Sequence, residues 1–485
     1  MKRGFLNGPK AKSRVAPAGE AAYAAPSRDP IPVPSLASLS LDELKEESEP
    51  YITFPIGKVS KVELPEQPAL TYQERDARSG SAPGTTTFTT IPIGAHPDEP
   101  VTECIFHEGS KEVIMAIPNF PRPMIHPKKV LFRMGPASGK GQGLFSKQAI
   151  KMGDLIFSER PLMLCTRVAP SGFTDPSYTR EMIIQQGLIQ LEQCYQIAFN
   201  RLRPADRAEF MSLTNCHTED GSGPLVGRVR TNGLGISGLR PGVEGTLGRY
   251  SSVNKYISRL NHSCCANTYP LWDLNSFSFR VYASRDIAEG EELTFQYIGV
   301  LENTAGRQES LKPYSLVCTC PACTDPAASD PRRAAIKAFS PSLMAWAADG
   351  KLSDDWLINK CLEQLDLLTQ EGLEHHNKYF YATKAIMEAY IGLGDTENAS
   401  KWAAKVCRQV WADEYTDVPV GKMKPLMDPK NITAYKEHAF WRARVDPASN
   451  DSMKMFQMFA AMAGPNNIKN LDGGFSLMMF PGPPM

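Results

Sequence analysis

Three cysteines within six residues, Cys318-x-Cys320-x-x-Cys323, constrain this chain more than any other feature. Packing alone rarely calls for three thiols so close together. Soft sulfur donors suit a metal, and a closed structural zinc site takes four ligands, so a fourth must come from elsewhere in the chain. The other cysteines are Cys104, Cys165, Cys194, Cys216, Cys264, Cys265, Cys361 and Cys407. An odd, scattered set of 11 in 485 residues does not read as a disulfide framework, which points to a reducing compartment. Met1 to Lys12 is basic without an apolar core, so it does not read as a secretory signal, and no apolar run is long enough to span a bilayer. No membrane association is expected.

Length points to two ordered domains and a flexible segment. Lys plus Arg equals Asp plus Glu at 53 each, which argues against a general polyanion binder and, with it, direct nucleic-acid binding. Residues 1–121 are rich in Pro, Ala, Ser and Thr with few large apolar residues, and are expected to be mostly disordered. Within them, Cys104–Phe106 and Val113–Met115 read as the arms of a short hairpin. From Val130 onward, short apolar runs broken by glycines predict small strands: Val130–Phe132, Gly143–Phe145, Leu155–Phe157, Phe277–Tyr282 and Leu293–Tyr297. Helical spacing predicts helices over Arg180–Arg203, Val253–Leu260, Trp356–Leu368, Tyr379–Leu393 and Ala399–Trp411. Gly392 and Gly394 end one helix and Ala399, Trp402 and Ala403 open the next, a pattern resembling a tetratricopeptide-like hairpin. From Pro447 the chain is Met-, Gly- and Pro-rich and expected to fray.

Four segments of the middle region stand in a definite order. They are Gly139-Lys-Gly-Gln-Gly-Leu-Phe145, Arg259-Leu-Asn-His-Ser-Cys264, Glu289-Gly-Glu-Glu-Leu-Thr-Phe-Gln-Tyr297, and Tyr314 followed by the cysteine cluster. Taken singly, the first is an ordinary glycine turn, and no long helix follows it to hold a phosphate. The histidine of the second reads as a satisfied structural residue. Tyr297 reads as a packed strand tyrosine.

Together, in this order, they resemble the SET-domain family of protein lysine methyltransferases, over about Pro127 to Asp325. The helical insertion and the tetratricopeptide-like tail are most similar to its SMYD-type branch. That branch carries a zinc-binding MYND module, but Cys165 to Arg230 offers only Cys165, Cys194, Cys216 and His217, so the chain resembles a relative without MYND. The resemblance implies an α+β fold of short strands with a helical insertion, a zinc-bound post-SET segment and a helical domain. Its boundaries are a SET domain over 122–308 with the insertion at about 170–245, a zinc segment over 309–327, a helical domain over 328–446 and a flexible tail over 447–485.

It further implies S-adenosylmethionine as cofactor and one structural zinc. The backbone of Lys140, Gly141 and Gln142 would cradle the methionine end of the cofactor, with Asn232, Ser258, Asn261 and His262 as further contacts. Tyr297 would orient the lysine amine, and Tyr314 would pack on the cofactor and wall the lysine channel. Leu316 stands where the family often has an aromatic ring, which weakens one stacking contact. The fourth zinc ligand to Cys318, Cys320 and Cys323 falls on Cys264 by motif register, with its neighbour Cys265 as the competing position. The expected partner is a protein substrate bearing a target lysine, with histones the family's best-represented class, and the helical tail is available for protein partners. The nucleus, the cytoplasm or both are expected locations. A catalytically silent peptide-binding scaffold is the alternative, disfavoured because a scaffold does not require Tyr297, Asn261, His262 and the glycine loop together.

Overall fold

The structure is a computed structural model and describes residues 57–67, 86–169, 175–240, 248–414, 419–451 and 453–454. Its strands run β1 (Thr87–Ile91), β2 (Thr102–Phe106), β3 (Phe132–Ala137), β4 (Gly141–Ser146), β5 (Leu155–Glu159), β6 (Met163–Thr166), β7 (Leu234–Ile236), β8 (Tyr250–Val253), β9 (Asn261–His262), β10 (Thr268–Asp273), β11 (Ser278–Ala283) and β12 (Glu292–Phe295). They form three small sheets, ordered β1-β2-β6-β8-β7, β10-β11-β5 and β3-β4-β12-β9. The helices are α1 (Ser110–Met115), α2 (Arg180–Arg201), α3 (Pro204–Met211), α4 (Pro224–Asn232), α5 (Thr304–Leu311), α6 (Pro321–Thr324), α7 (Pro326–Ala338), α8 (Leu343–Ala348), α9 (Trp356–Gln370), α10 (Asn377–Leu393), α11 (Thr396–Arg408) and α12 (Ile432–Lys436). No helix among the described residues is long and apolar enough to cross a membrane.

Short strands suffice here because the sheets share one core. Leu144, Ile156, Val281 and Leu293 pack together with Phe106, Tyr250 and Phe277. On the far side of the five-stranded sheet, α2 and α4 bury Leu188, Leu191, Leu225 and Val226 against Ile105, Met163 and Val253. Thr179 caps α2 by accepting from the Met182 amide, and prolines open α3 and α4, where their missing N–H costs nothing.

Two local expectations fail. Residues 87–115, near the end of the segment expected to be mostly disordered, hold β1, β2 and α1. Cys104–Phe106 pairs antiparallel with β1 and parallel with β6, while 113–115 lie in α1, so the expected hairpin does not form. β2 is buried at all five positions, a burial that depends on β6 some 60 residues away and leaves little local trace. Val253–Leu260 is no helix: β8 ends at Val253, and only Ile257–Arg259 make a 3-10 turn. The reason is tertiary. The buried Glu159 carboxylate, from β5, accepts the Tyr256 and Ile257 amides at 2.8 and 2.9 Å and fixes the chain before a helical turn can extend.

Beyond the sheets, α8–α11 pack by their apolar faces around Trp346, Leu357, Ile386 and Ala389. Gly394 ends α10 at φ 75°, a left-handed conformation that glycine adopts without a Cβ clash, and Asp395 then caps α11. Residues past Pro447 that are described remain packed: Asn450 donates to the Ala439 and Trp441 carbonyls, and Met453 is buried. The rest of the expected tail lies outside the described residues.

A buried guanidinium links the helical region to the segments that follow β9 and β12. Arg333, on α7, donates through Nε to the Glu371 carboxylate at 2.8 Å, through Nη1 to the Val300 carbonyl at 2.5 Å and through Nη2 to the Cys264 carbonyl at 3.2 Å. Both Arg333 and Glu371 are fully enclosed. A buried charge tolerates this only with its partners complete.

Candidate active site

The strand β12 gathers the motif segments. It pairs antiparallel with β4, setting Glu292 opposite Phe145, and parallel with β9, setting Thr294 opposite Asn261 and Phe295 opposite His262. The glycine loop, the Asn-His-Ser-Cys run and the strand leading to Tyr297 are therefore neighbours in one sheet. Gly141 needs glycine for its φ of 78°. Gly143 needs it for space: a Cβ there would stand 3.0 Å from Asn261 Nδ2 and from Glu292 Oε1.

Glu292 went unnoticed in the sequence as a site residue, yet it ties two of these segments together. Its Oε2 pairs with Lys140 Nζ at 3.1 Å and its Oε1 accepts from Asn261 Nδ2 at 2.8 Å. The same Asn261 amide lies 3.2 Å from the Gln142 carbonyl. Strand alternation carries the signal that finds Glu292: it shares a face with Thr294, the partner of Asn261.

Past β12 the chain places Tyr297 against His262 and Tyr314. The ring centroids lie 5.3 and 5.2 Å apart respectively, and His262 Nδ1 accepts the Tyr297 amide at 3.1 Å. The Tyr297 hydroxyl donates to the Leu260 carbonyl at 2.7 Å. Burial, then the neighbouring Tyr314, pushes its pKa well above that of a free phenol, and burial does the same for Tyr314. Both hydroxyls stay protonated at neutral pH. Leu316 packs beside Tyr297, Tyr314 and Cys264.

Asn232 and Ser258, both expected to contact the cofactor, also meet. Ser258 Oγ donates to the Asn232 carbonyl at 3.2 Å and accepts the Asn254 amide. The Asn232 side-chain amide is committed to the Thr214 and Arg228 carbonyls, closing the end of α4. Cys216, from the insertion, donates to the Tyr314 carbonyl at 3.1 Å, a link no sequence spacing announced.

The four thiols of Cys264, Cys318, Cys320 and Cys323 lie within 4.8 Å of one another. Cys264 Sγ stands 3.9 Å from Cys318 Sγ and 3.7 Å from Cys323 Sγ. Four sulfurs about 2.3 Å from a tetrahedral zinc stand about 3.8 Å apart, so the donor set and its spacing fit that ion. His262 Nε2 and Arg307 Nη2 approach Cys264 and Cys323 at 3.3 and 3.7 Å, as donors around a thiolate cluster do. Cys265 is not one of these four mutually close thiols: its sulfur neighbours Cys320 alone among them and lies 3.6 Å from Arg333, and its Cβ packs on Gly372. Cys165 and Cys194 are packed in the core beneath α2.

The SET domain family matches residues 141–298, so the chain carries a SET domain. Histone-lysine N-methyltransferase set5 of Schizosaccharomyces pombe is 28% identical over 191 residues, covering 39% of this chain and 49% of that relative. Histone-lysine N-methyltransferase SET5 of Candida albicans is 38% identical over 72 residues, covering 14% of this chain and 15% of its own length. The chain thus spans about half the length, or less, of these curated relatives. Among solved structures, ctPRC2 in an autoinhibited conformation bound to S-adenosylmethionine aligns at 13% identity, over 67% of this chain and 32% of that one, with a TM-score of 0.18, too low to bear on the fold.

Proposed function

We propose that this protein is an S-adenosylmethionine-dependent protein-lysine methyltransferase with one structural zinc, acting on a protein substrate of the histone class. The observation that carries the reading is the double pairing of β12, which brings the glycine loop, Asn261 and Tyr297 to one place beside the thiol cluster. The SET domain match and the two histone-methylating relatives support it.

When bound, S-adenosylmethionine supplies a methyl carbon on a sulfonium sulfur, an electrophile that needs no acid to activate it. The chain's own groups then have three tasks. The backbone of Lys140, Gly141 and Gln142, the side chain of Lys140 and the Asn261–His262 strand receive the cofactor, with Ser258 and Asn232 contributing mainly backbone. Tyr314 and Leu316 form the apolar wall that excludes water and lowers the pKa of an entering lysine, so that its amine arrives neutral. Tyr297 orients that amine. Its one proton is spent on the Leu260 carbonyl, so its oxygen presents lone pairs to the reacting centre. Its raised pKa makes it a positioning acceptor, and the lysine proton leaves to solvent. The zinc ties the segment bearing Tyr314 to the Cys264 loop.

We further read α10 and α11 as one tetratricopeptide-like hairpin available to protein partners, and the nucleus as the place of action. Methyl transfer from labelled cofactor to histones and to a peptide array tests the function. The wild-type chain labels a protein lysine, and Tyr297→Phe lowers turnover on the order of a hundredfold while cofactor affinity holds. Cofactor binding with no labelling of any protein would replace the enzyme with a silent scaffold.

A further inference from the structure

Residues 57–67 stand well before the SET domain match at 141–298, form no helix or strand, and yet pack onto the insertion. Val59 lies against the core beneath α2 and α4, and Gln67 Oε1 accepts from Gln186 Nε2, on α2, at 3.0 Å. The deepest tie of this strap is ionic. Arg230, on α4 and 1% exposed, donates through Nη2 to the Gly57 carbonyl and through Nη1 to Asp220 at 2.8 Å. Hydrogen bonds from a buried guanidinium are strong and directional, so the first residues of the strap are firmly anchored.

From that anchor Lys58 reaches a third segment. Its Nζ donates to Ser315 Oγ at 3.2 Å, next to Tyr314. The contacts close a ring. Gly57 is held by Arg230, Arg230 by Asp220, and Asp220 Oδ2 lies 2.7 Å from His217 Nδ1. Cys216, the residue before His217, donates to the Tyr314 carbonyl, and Ser315 leads back to Lys58. The ring adjoins the expected cofactor contacts. The Cys216 amide donates to Thr231 Oγ1 at 3.0 Å, and the next residue, Asn232, carries the carbonyl that Ser258 bonds.

Ser315 gives the link its purpose. It stands at φ 52°, a left-handed conformation that a residue with a Cβ keeps only where its surroundings hold it. Cys216 bonds this turn at the Tyr314 carbonyl and Lys58 bonds it at the Ser315 hydroxyl. The insertion and the strap thus grip the turn that sets the Tyr314 ring 5.2 Å from that of Tyr297. We propose that Lys58 is a positioning residue for the cofactor: anchored through Gly57, it holds the Tyr314–Ser315 turn closed against the insertion, so that bound cofactor is enclosed. This role rests on the S-adenosylmethionine-dependent function proposed above.

Titration calorimetry of the full chain with S-adenosylmethionine tests it. Lys58→Ala weakens binding about fivefold, the weight of one ordinary hydrogen bond. Lys58→Arg, which keeps a cationic donor of similar reach, stays within about twofold of the wild type. Ser315→Ala weakens binding as Lys58→Ala does, and the double variant binds no more weakly than either single one, because both remove the same bond. Lys61→Ala, on the same strap, stays within about twofold. Thermal midpoints hold throughout, since the Lys58–Ser315 bond is exposed and contributes little to folding. Unchanged affinity in Lys58→Ala, no rescue by arginine, additive losses in the double variant, or an equal loss in Lys61→Ala overturns the role of Lys58. A wild-type chain that binds no S-adenosylmethionine overturns the proposed function itself, and this role with it.

Discussion

At the scale of single residues, Glu292 has the clearest consequence. It neutralises Lys140 and holds Asn261, so it sets the shape of the loop that is to receive the cofactor. Glu292→Gln keeps an acceptor for Asn261 and loses the ion pair, and should weaken cofactor binding about fivefold, roughly 1 kcal/mol for a partly exposed pair. Titration calorimetry showing unchanged affinity would remove Glu292 from the site. The two adjacent cysteines separate just as sharply. Cys264→Ser should lose the metal, whereas Cys265→Ser should retain it, because only the first sulfur faces the other three. Metal analysis of the two purified variants gives the answer, and the reverse pattern would move the fourth ligand by one position.

His375 makes a pH prediction. It is buried with Nε2 bonded to Gln296, next to Tyr297, and burial lowers its pKa to about 3. The folded state therefore refuses a proton that the unfolded chain accepts near pH 6.5. Its contribution to stability is complete above that value and is lost as pH falls toward 3. His375→Gln should flatten the stability profile, so that acidification from pH 7 to 5 costs the variant about 2 kcal/mol less than the wild type. Urea unfolding at the two pH values measures this, and identical losses would contradict it.

At the scale of elements, what could be read from the sequence depended on whether the cause was local. α9, α10 and α11 were legible because their apolar spacing and the glycine stop lie in adjacent residues. The motif strands β4 and β12 were legible as apolar runs, whereas β9 was read only as a motif segment, because its two residues become a strand by pairing with the distant β12. β1 and β2 were not, since their burial comes from β6 and α2. The 3-10 turn at Ile257–Arg259 was not, since a carboxylate about 100 residues earlier fixes it. Gly394→Ala tests the local case. An added Cβ would meet only Arg442 Cγ at 3.5 Å, an ordinary contact, so the cost is the left-handed backbone alone, about 1 kcal/mol in thermal or urea unfolding. Arg333→Ala tests the non-local case. It removes the fully buried one of the two guanidinium groups on Glu371, leaving Arg332 at 2.6 Å, and should cost about 3 kcal/mol, the low end for a broken buried pair. A neutral result would mean that the helical region does not brace the Cys264 loop.

On the scale of the whole molecule, the sheets, the insertion and the helical region are joined where the site lies. Cys216 reaches Tyr314 from the insertion, Arg333 reaches Cys264 from the helical region, and the Cys318–Cys323 segment closes on Cys264 from beyond the sheet. Lys58 also touches this junction, bonding Ser315 next to Tyr314 at 3.2 Å. The claim beneath the whole reading is that one metal fastens the last segment to the Asn-His-Ser-Cys loop. X-ray absorption at the zinc edge of the purified full chain measures it directly. The account predicts one zinc per chain with a first shell of four sulfurs at about 2.3 Å. A shell containing nitrogen or oxygen, or a folded and active chain without zinc, would contradict it.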